Sequence, residues 1–573
     1  MSKLFRMPSG IGWRDHVIGA LLCVAVVVTL LLTAGAIGFT RDEGMYFHAS
    51  TLVARWFEDL WTNSSKALRP GAIADAWAYN REHPSFIKSL FALSWLFLHN
   101  KWHLIADSSL AFRLPAMVLS GVAVWVTYLF GARVYCRSAG LVASVLFITM
   151  PRVFFHAHLA CFDMPIVALW VLCLYVYYRS IERGGVVWPL VCGLVYGLAL
   201  DTKHNAWILP FVFLVHGTIV ILTQNKGCWK KPLVRVSSSF AAIIVLGPVL
   251  LYALWPWIWY DTKGRLLWYF NFQFNHVYYN MEFLGTNYFK APSPRLYMPI
   301  MILATVPTIT LLFAGIGAGN RVSAAICRIK ATIARAASHT DGLDFRPNLL
   351  FGLAAVAAVS PWFLGKTPIY GGTKHWMTAY PFLALFASHG LMLVLRSMKT
   401  KMDLLTTRMP SWAPKLASIV SIGLVFLVPV SITAHAHPYG LSSYVPLVGG
   451  TKGGASLGLN RQFWGYTTQN AAEQFLNDRA PYGSKVFIHD TIPIAWQFMQ
   501  AEGRVRYDLR GVSSVNDAQI ALVQHELHMN EVDYQIWEKF HTQSPIFVVA
   551  QDEVPIVSIY ADKSIIERLV SKH

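Results

Sequence analysis

The chain has 573 residues, 55% hydrophobic and only 14% charged, whereas a soluble domain carries about 25% charged residues. Its net charge of +18 is dispersed in short clusters between apolar runs, a pattern that argues against a nucleic-acid-binding protein. Seven scattered cysteines without a CxxC pair support neither a disulfide framework nor a zinc site.

Apolar runs such as Val17–Ile37, Ile243–Trp255 and Leu416–Ile432 are of the kind that crosses a bilayer, where roughly 20 apolar residues are needed. Ala34-Gly35-Ala36 would suit a signal cleavage site. The first run is nevertheless too long for a signal peptide and leads directly into Arg41-Asp42-Glu43, so it reads as a retained span. In chain order, spans are expected at about 16–38, 113–131, 139–152, 160–179, 187–202, 206–223, 236–255, 297–316, 347–363, 376–396 and 416–434. The fold class is therefore a polytopic α-helical membrane protein of about eleven helices, with a membrane domain over 1–434. With Lys3, Arg6 and Arg14 inside, every basic cluster becomes cytoplasmic: Arg133 and Arg137, Arg179 and Arg183, 226–235, 321–346 and 396–415.

This topology leaves four segments outside. The first external loop, about 40–112, shows helical spacing at Leu52, Trp56 and Leu60 and suggests an interfacial helix, with a second from Ser85 to His99. An aromatic external loop spans about 257–295, and a short segment covers 365–375. In the aromatic stretch Trp255–Tyr260, with Trp268, Tyr269, Tyr278 and Tyr279, the rings fit either an interfacial belt or a sugar-stacking wall. The tail, 435–573, alternates strand and helix patterns and reads as a small α/β extracytoplasmic domain. Its strands are expected at Lys485–Ile488, Ala518–Val523, Ile546–Ala550 and Pro555–Tyr560, with a helix over Asp533–Phe540. His489, Asp490, His525 and His528 read as surface residues rather than a site, and His-Glu-Leu-His lacks the separation of a metalloprotease motif.

Charge near the bilayer is costly and marks candidate sites. Asp42-Glu43 stands where the first span ends; it suits either a base facing an external substrate or a helix start. Arg81 and His83 precede the second interfacial helix. Asp163 opens the fourth span near Arg152, His156 and His158, where it could simply cap the helix. Lys203-His204 and Lys374-His375 sit at outer span ends, where a lysine could simply snorkel. One topology brings all of these to one face. Cations beside carboxylates there suit an anionic, phosphate-bearing ligand.

These residues also carry a resemblance. Arg41-Asp42-Glu43-Gly44-Met45-Tyr46, His83-Pro84, Phe112-Arg113-Leu114-Pro115-Ala116, Asp163-Met164-Pro165 and Gly197-Leu198-Ala199 with Thr202-Lys203 resemble, in order, motifs of the protein O-mannosyltransferase-like enzymes. These are GT-C glycosyltransferases, a group that includes the bacterial aminoarabinose transferases. The resemblance covers about residues 14–225 and is looser beyond them. It implies a GT-C fold and inverting transfer of a sugar from a polyprenyl-phosphate donor to a protein, lipid or glycan acceptor. It further implies Asp42 as the base, Glu43 as its support, and Lys203 and Asp163 at the donor phosphate. His83, Arg81, Lys374 and His375 would be further substrate contacts. Some members use a divalent cation and others none, so metal dependence stays open. Two departures stand out: Ser85-Phe86 follows His83-Pro84 where a proline or small residue is common, and Lys374-His375 replaces a frequent Arg-Tyr. The bacterial look of the motifs implies an inner-membrane protein with a periplasmic tail. A lipid or glycan transporter, or a membrane scaffold, is the alternative reading of the same charges.

Overall fold

The computed structural model describes residues 10–223, 229–333, 346–363, 367–369, 371–405, 412–466 and 470–570. Parts of the basic clusters at 226–235, 321–346 and 396–415, and of the short external segment at 365–375, lie outside those residues. Lys3 and Arg6 do too. Among the described residues, seven helices are long and apolar enough to cross a membrane, or eight if one bent pair counts as a single span. Shorter apolar helices cover Val187–Leu200 and Val420–Ala436. The chain is a multi-pass membrane protein.

Two expected spans are built differently. The one at 139–152 is broken: Arg137–Ile148 and Pro151–Ala157 meet at 76°. Pro151 lacks an N–H to continue the first helix but suits the first turn of the second. The one at 297–316 divides into Tyr297–Thr305 and a long helix beginning at Thr308, because Pro307 interrupts the hydrogen-bond ladder.

The segment expected as the first external loop is helical almost throughout. Its main helix, Arg41–Thr62, begins earlier than the Leu52 periodicity suggests. Thr40 is its N-cap, and the Glu43 carboxylate accepts from the Thr40 N–H at 3.2 Å in a capping box. A second helix, Ser85–Ser94, passes into a π-turn over Trp95–Lys101. Trp255, Trp257 and Tyr269 of the aromatic loop pack into a separate apolar cluster with Trp56, Trp77 and Leu96. The loop also forms a hairpin of β1 (Met281–Phe283) and β2 (Thr286–Tyr288).

The tail holds five strands: β3 (Lys485–Ile488), β4 (Arg510–Val512), β5 (Ile520–Gln524), β6 (Phe547–Gln551) and β7 (Val554–Ala561). Their order is β4-β3-β5-β7-β6. β3 runs parallel to β4 and β5, and β7 runs antiparallel to its neighbours. β4 went unseen in the sequence because three residues containing a glycine carry no alternation.

The tail rests on the first external loop. A Cβ on Gly44 would lie 2.6 Å from the Ala495 Cβ, so the Pro493–Ala501 helix approaches Arg41–Thr62 as only glycine permits. Phe498 packs edge-on to Phe47, and Glu502 accepts hydrogen bonds from the Ser109 N–H and hydroxyl. Gly44→Leu is expected to cost about 1–3 kcal/mol by overpacking. Chemical unfolding of the full chain checks this, and Ala495→Gly in the same chain is expected to recover part of the loss.

Candidate active site

Asp42 and Glu43 are chain neighbours on one helix, but adjacent helical residues point about 100° apart, and these two face different surroundings. Glu43 is fully buried and saturated. It pairs with Arg113 through two bonds of 2.8 Å, accepts from the Ala160 N–H at 3.0 Å, and closes the Thr40 capping box. Arg113, also buried, donates to the Gly38 carbonyl at 2.7 Å. Glu43, expected to support the base or touch substrate, therefore has its oxygens committed to holding the helix start.

Asp42 faces the other way. Its carboxylate accepts a hydrogen bond from the Trp464 indole, lies 3.3 Å from Arg41 Nε, and stands 3.7 Å from Lys374 Nζ. Trp464 and Gly465 have φ of +64° and +57°, a left-handed turn that brings the indole over this carboxylate. Lys374 Nζ stands 3.9 Å from the centroid of the Trp464 ring. Arg41 bridges outward to Asp490 of the tail at 2.7 Å. Asp490, expected at the surface, is instead a second-row partner of Asp42.

The other expected residues gather nearby. Lys203 Nζ donates to Asp163 at 2.6 Å, and His156 Nδ1 lies 3.9 Å from the same carboxylate. His83 stacks on Phe162 at 4.3 Å, with Tyr46 edge-on to both rings. His375 packs 4.5 Å from Trp362 and accepts from the Gly371 N–H. Burial lowers the pKa of Lys374, His83 and His375; the imidazoles drop well below their usual range, so they enter as neutral groups. Arg81 stays apart: it is exposed over the faces of Trp268 and Trp257, at 4.5 and 6.0 Å.

A cleft opens beside Asp42, walled by Arg41, Tyr279, Phe463, Trp464, Asp490 and Glu526. It lies where the membrane region, the aromatic loop and the tail meet. His528 closes its acidic side, 3.1 Å from Glu526 and 3.5 Å from Glu282. Burial raises the pKa of Glu526 well above the usual carboxylate range, and the charges of Asp490 and Glu282 push it the same way. Among the described residues no group of three or more His, Cys, Asp or Glu side chains is arranged to hold a metal ion.

Sequence reasoning missed Trp464, Phe463 and Asp490, which belong to segments without a recognisable motif. It read Arg113 as a motif residue without seeing that its partner is Glu43.

Residues 91–252 match a family model described as dolichyl-phosphate-mannose-protein mannosyltransferase. The matched stretch contains Arg113, Arg152, Asp163 and Lys203, while Asp42 and Lys374 lie outside it. The resemblance carried by the motifs is thus met again over this stretch. No curated protein matches the sequence. Among solved structures, the chain is similar to ArnT from Cupriavidus metallidurans bound to undecaprenyl phosphate. That likeness has 15% identity and a TM-score of 0.44, and covers 94% of this chain and 97% of that one. The archaeal oligosaccharyltransferase AglB from Archaeoglobus fulgidus is similar at 12% identity and a TM-score of 0.49, over 89% and 69% of the two chains. The arabinosyltransferase EmbB from Mycobacterium smegmatis is similar at 12% identity and 0.39, over 70% and 33%. All three likenesses are too distant to carry a residue-by-residue reading.

Glu43→Gln or Arg113→Met is expected to destabilise the protein by about 3–5 kcal/mol, because either leaves one buried charge unmatched. Chemical unfolding in detergent micelles checks this. An unchanged midpoint for both would remove the pair from its structural role.

Proposed function

We propose that the chain is an inverting glycosyltransferase that moves a sugar from a polyprenyl-phosphate donor to a hydroxyl acceptor, with Asp42 as general base. The observation that carries this is the division of labour between neighbouring acids. Glu43 is spent on Arg113, whereas Asp42 adjoins two residues that line a cleft and is held, among the described residues, by an indole, a lysine and a shared arginine.

The acceptor hydroxyl, placed in the cleft, gives its proton to Asp42 as its oxygen attacks the sugar's first carbon. The bond from that carbon to the phosphate oxygen breaks, and its electron pair leaves with the polyprenyl phosphate. Phosphate is a good leaving group when cations receive it, so one base suffices and no paired acid is required. Lys374 Nζ stands 3.7 Å from the Asp42 carboxylate, opposite in charge to it. Glu43 and Arg113 fix the helix start from which Asp42 projects; they are positioning residues. Lys203 and Asp163 wall the donor side, and His83 and His375 border it as neutral hydrogen-bonding groups. Arg81, over its tryptophans, belongs to the approach and not to the reacting centre. The membrane domain ends and the extracytoplasmic domain begins near residue 435. The reaction face is the periplasmic side of a bacterial inner membrane, with the N-terminus in the cytoplasm.

The test uses purified full-length protein in nanodiscs with a panel of radiolabelled polyprenyl-phosphate sugars and candidate acceptors, following release of polyprenyl phosphate. Asp42→Asn is expected to lower kcat by about a hundredfold or more, within the usual worth of a general base. Equal turnover by the variant would remove Asp42 from the chemistry.

A further inference from the structure

Four cations of the buried centre each stand against a carboxylate, and a fifth does not. Arg113 is paired with Glu43, Lys203 with Asp163, Lys374 with Asp42, and Arg41 with Asp490. Arg152 has no carboxylate partner among the described residues. It is 1% exposed, and none of its three guanidinium nitrogens makes a hydrogen bond of ordinary geometry among the described residues. Its neighbours are aromatic: the guanidinium stands 5.1 Å from the centroid of Tyr444 and 4.8 Å from that of Phe463.

Cation–π contact of this kind offsets only part of what a buried charge loses on leaving water. Arginine cannot escape by shedding its proton. A guanidinium in this position therefore calls for an anion, and its planar fork of N–H donors fits two oxygens of a phosphate. One helical turn further on, His156 presents a second buried side chain, also 1% exposed, with neither ring nitrogen hydrogen-bonded. His156 lies 3.9 Å from Asp163 and 5.5 Å, ring to ring, from Trp464, so this face of the helix looks onto the reacting centre. Phe463 and Trp464 form the wall between Arg152 and the cleft: Phe463 touches the guanidinium, and both rings line the cleft.

We propose that Arg152, with His156 beside it, receives the phosphate of the lipid-linked donor, and that Phe463 turns aside to admit it. This rests on the donor reading of the preceding subsection and replaces the expected role of Lys203, whose charge Asp163 already neutralises at 2.6 Å. The phosphate would give Arg152 the anionic partner it lacks among the described residues. On cleavage the same guanidinium would face the added charge of the departing monoester.

The experiment measures binding of undecaprenyl phosphate and of the uncharged alcohol undecaprenol to the full chain in phosphatidylcholine nanodiscs. Wild type is expected to prefer the phosphate by about tenfold or more, the usual worth of hydrogen bonds to a charged group. Arg152→Met is expected to abolish that preference while the thermal midpoint holds or rises, because the residue it removes has no carboxylate partner. Arg152→Lys, keeping charge without the fork, is expected to retain only part of it. Arg510→Gln, on the exposed strand β4, is expected to change nothing. A preference kept by Arg152→Met, or lost only in Lys203→Met, would overturn the inference alone. Should Arg152→Met fail to fold, Arg152→Lys decides: full preference at a native midpoint overturns the inference as well. Equal competition by phosphatidic acid would place a membrane phospholipid there and overturn the donor assignment. No preference in wild type would overturn both this inference and the donor reading on which it rests.

Discussion

Glu43 and Arg113 meet with 0% and 2% of their side chains exposed, and an ion pair so deeply buried is viable only when every lone pair and N–H finds a partner. Those partners come from distant parts of the chain: the Gly38 carbonyl at the end of the first span, the Thr40 N–H at the cap, and the Ala160 N–H just before the Asp163–Arg183 helix. One pair thus ties the first span, the Arg41–Thr62 helix, the Ser108–Val134 helix and the turn that leads into the helix opened by Asp163. The direction in which Asp42 projects follows from this anchor. With Glu43 turned inward, the next residue back along the helix must face elsewhere, and Asp42 meets Trp464 and Arg41, two residues that line the cleft.

The tail is more than an appendage in this arrangement. Asp490 takes up Arg41, Trp464 caps Asp42, and the Pro493–Ala501 helix sits against Gly44. The tail therefore holds the Asp42 carboxylate directly through Trp464 and indirectly through the Arg41–Asp490 pair. The cleft these residues line is acidic on the tail side, through Asp490 and Glu526, and two cations stand against its aromatic wall, Lys374 at Trp464 and Arg152 at Phe463. A reaction that accepts a neutral hydroxyl on one side and releases a phosphate on the other is matched by that gradient.

Much of the architecture was legible because hydrophobic length and helical period are local signals. The multi-pass class, the helical first loop and four of the five tail strands could be read directly. The broken span at Thr149–Pro151 and the break at Pro307 were written in prolines lying inside otherwise continuous apolar runs. The site was legible only as a set of residues. Asp42 and Glu43 look alike in sequence, and only Arg113, some seventy residues on, separates their roles. Arg152 lies among apolar neighbours near an expected span end, where a snorkelling side chain is the ordinary reading. Its lack of a carboxylate partner is a property of the folded interior that no spacing reveals. The Trp255 to Tyr269 rings were expected as a belt or a sugar wall, yet Trp255, Trp257 and Tyr269 build a core beneath the first loop.

The most direct measurement compares Asp42→Asn and Glu43→Gln for turnover and unfolding midpoint in the same preparation. The account predicts a split: Asp42→Asn loses turnover at a near-native midpoint, whereas Glu43→Gln loses stability first and activity only through it. The reverse pattern would contradict the account, with Glu43→Gln native in stability but inactive and Asp42→Asn fully active. It would make the buried pair the reacting centre and leave Asp42 as scaffolding.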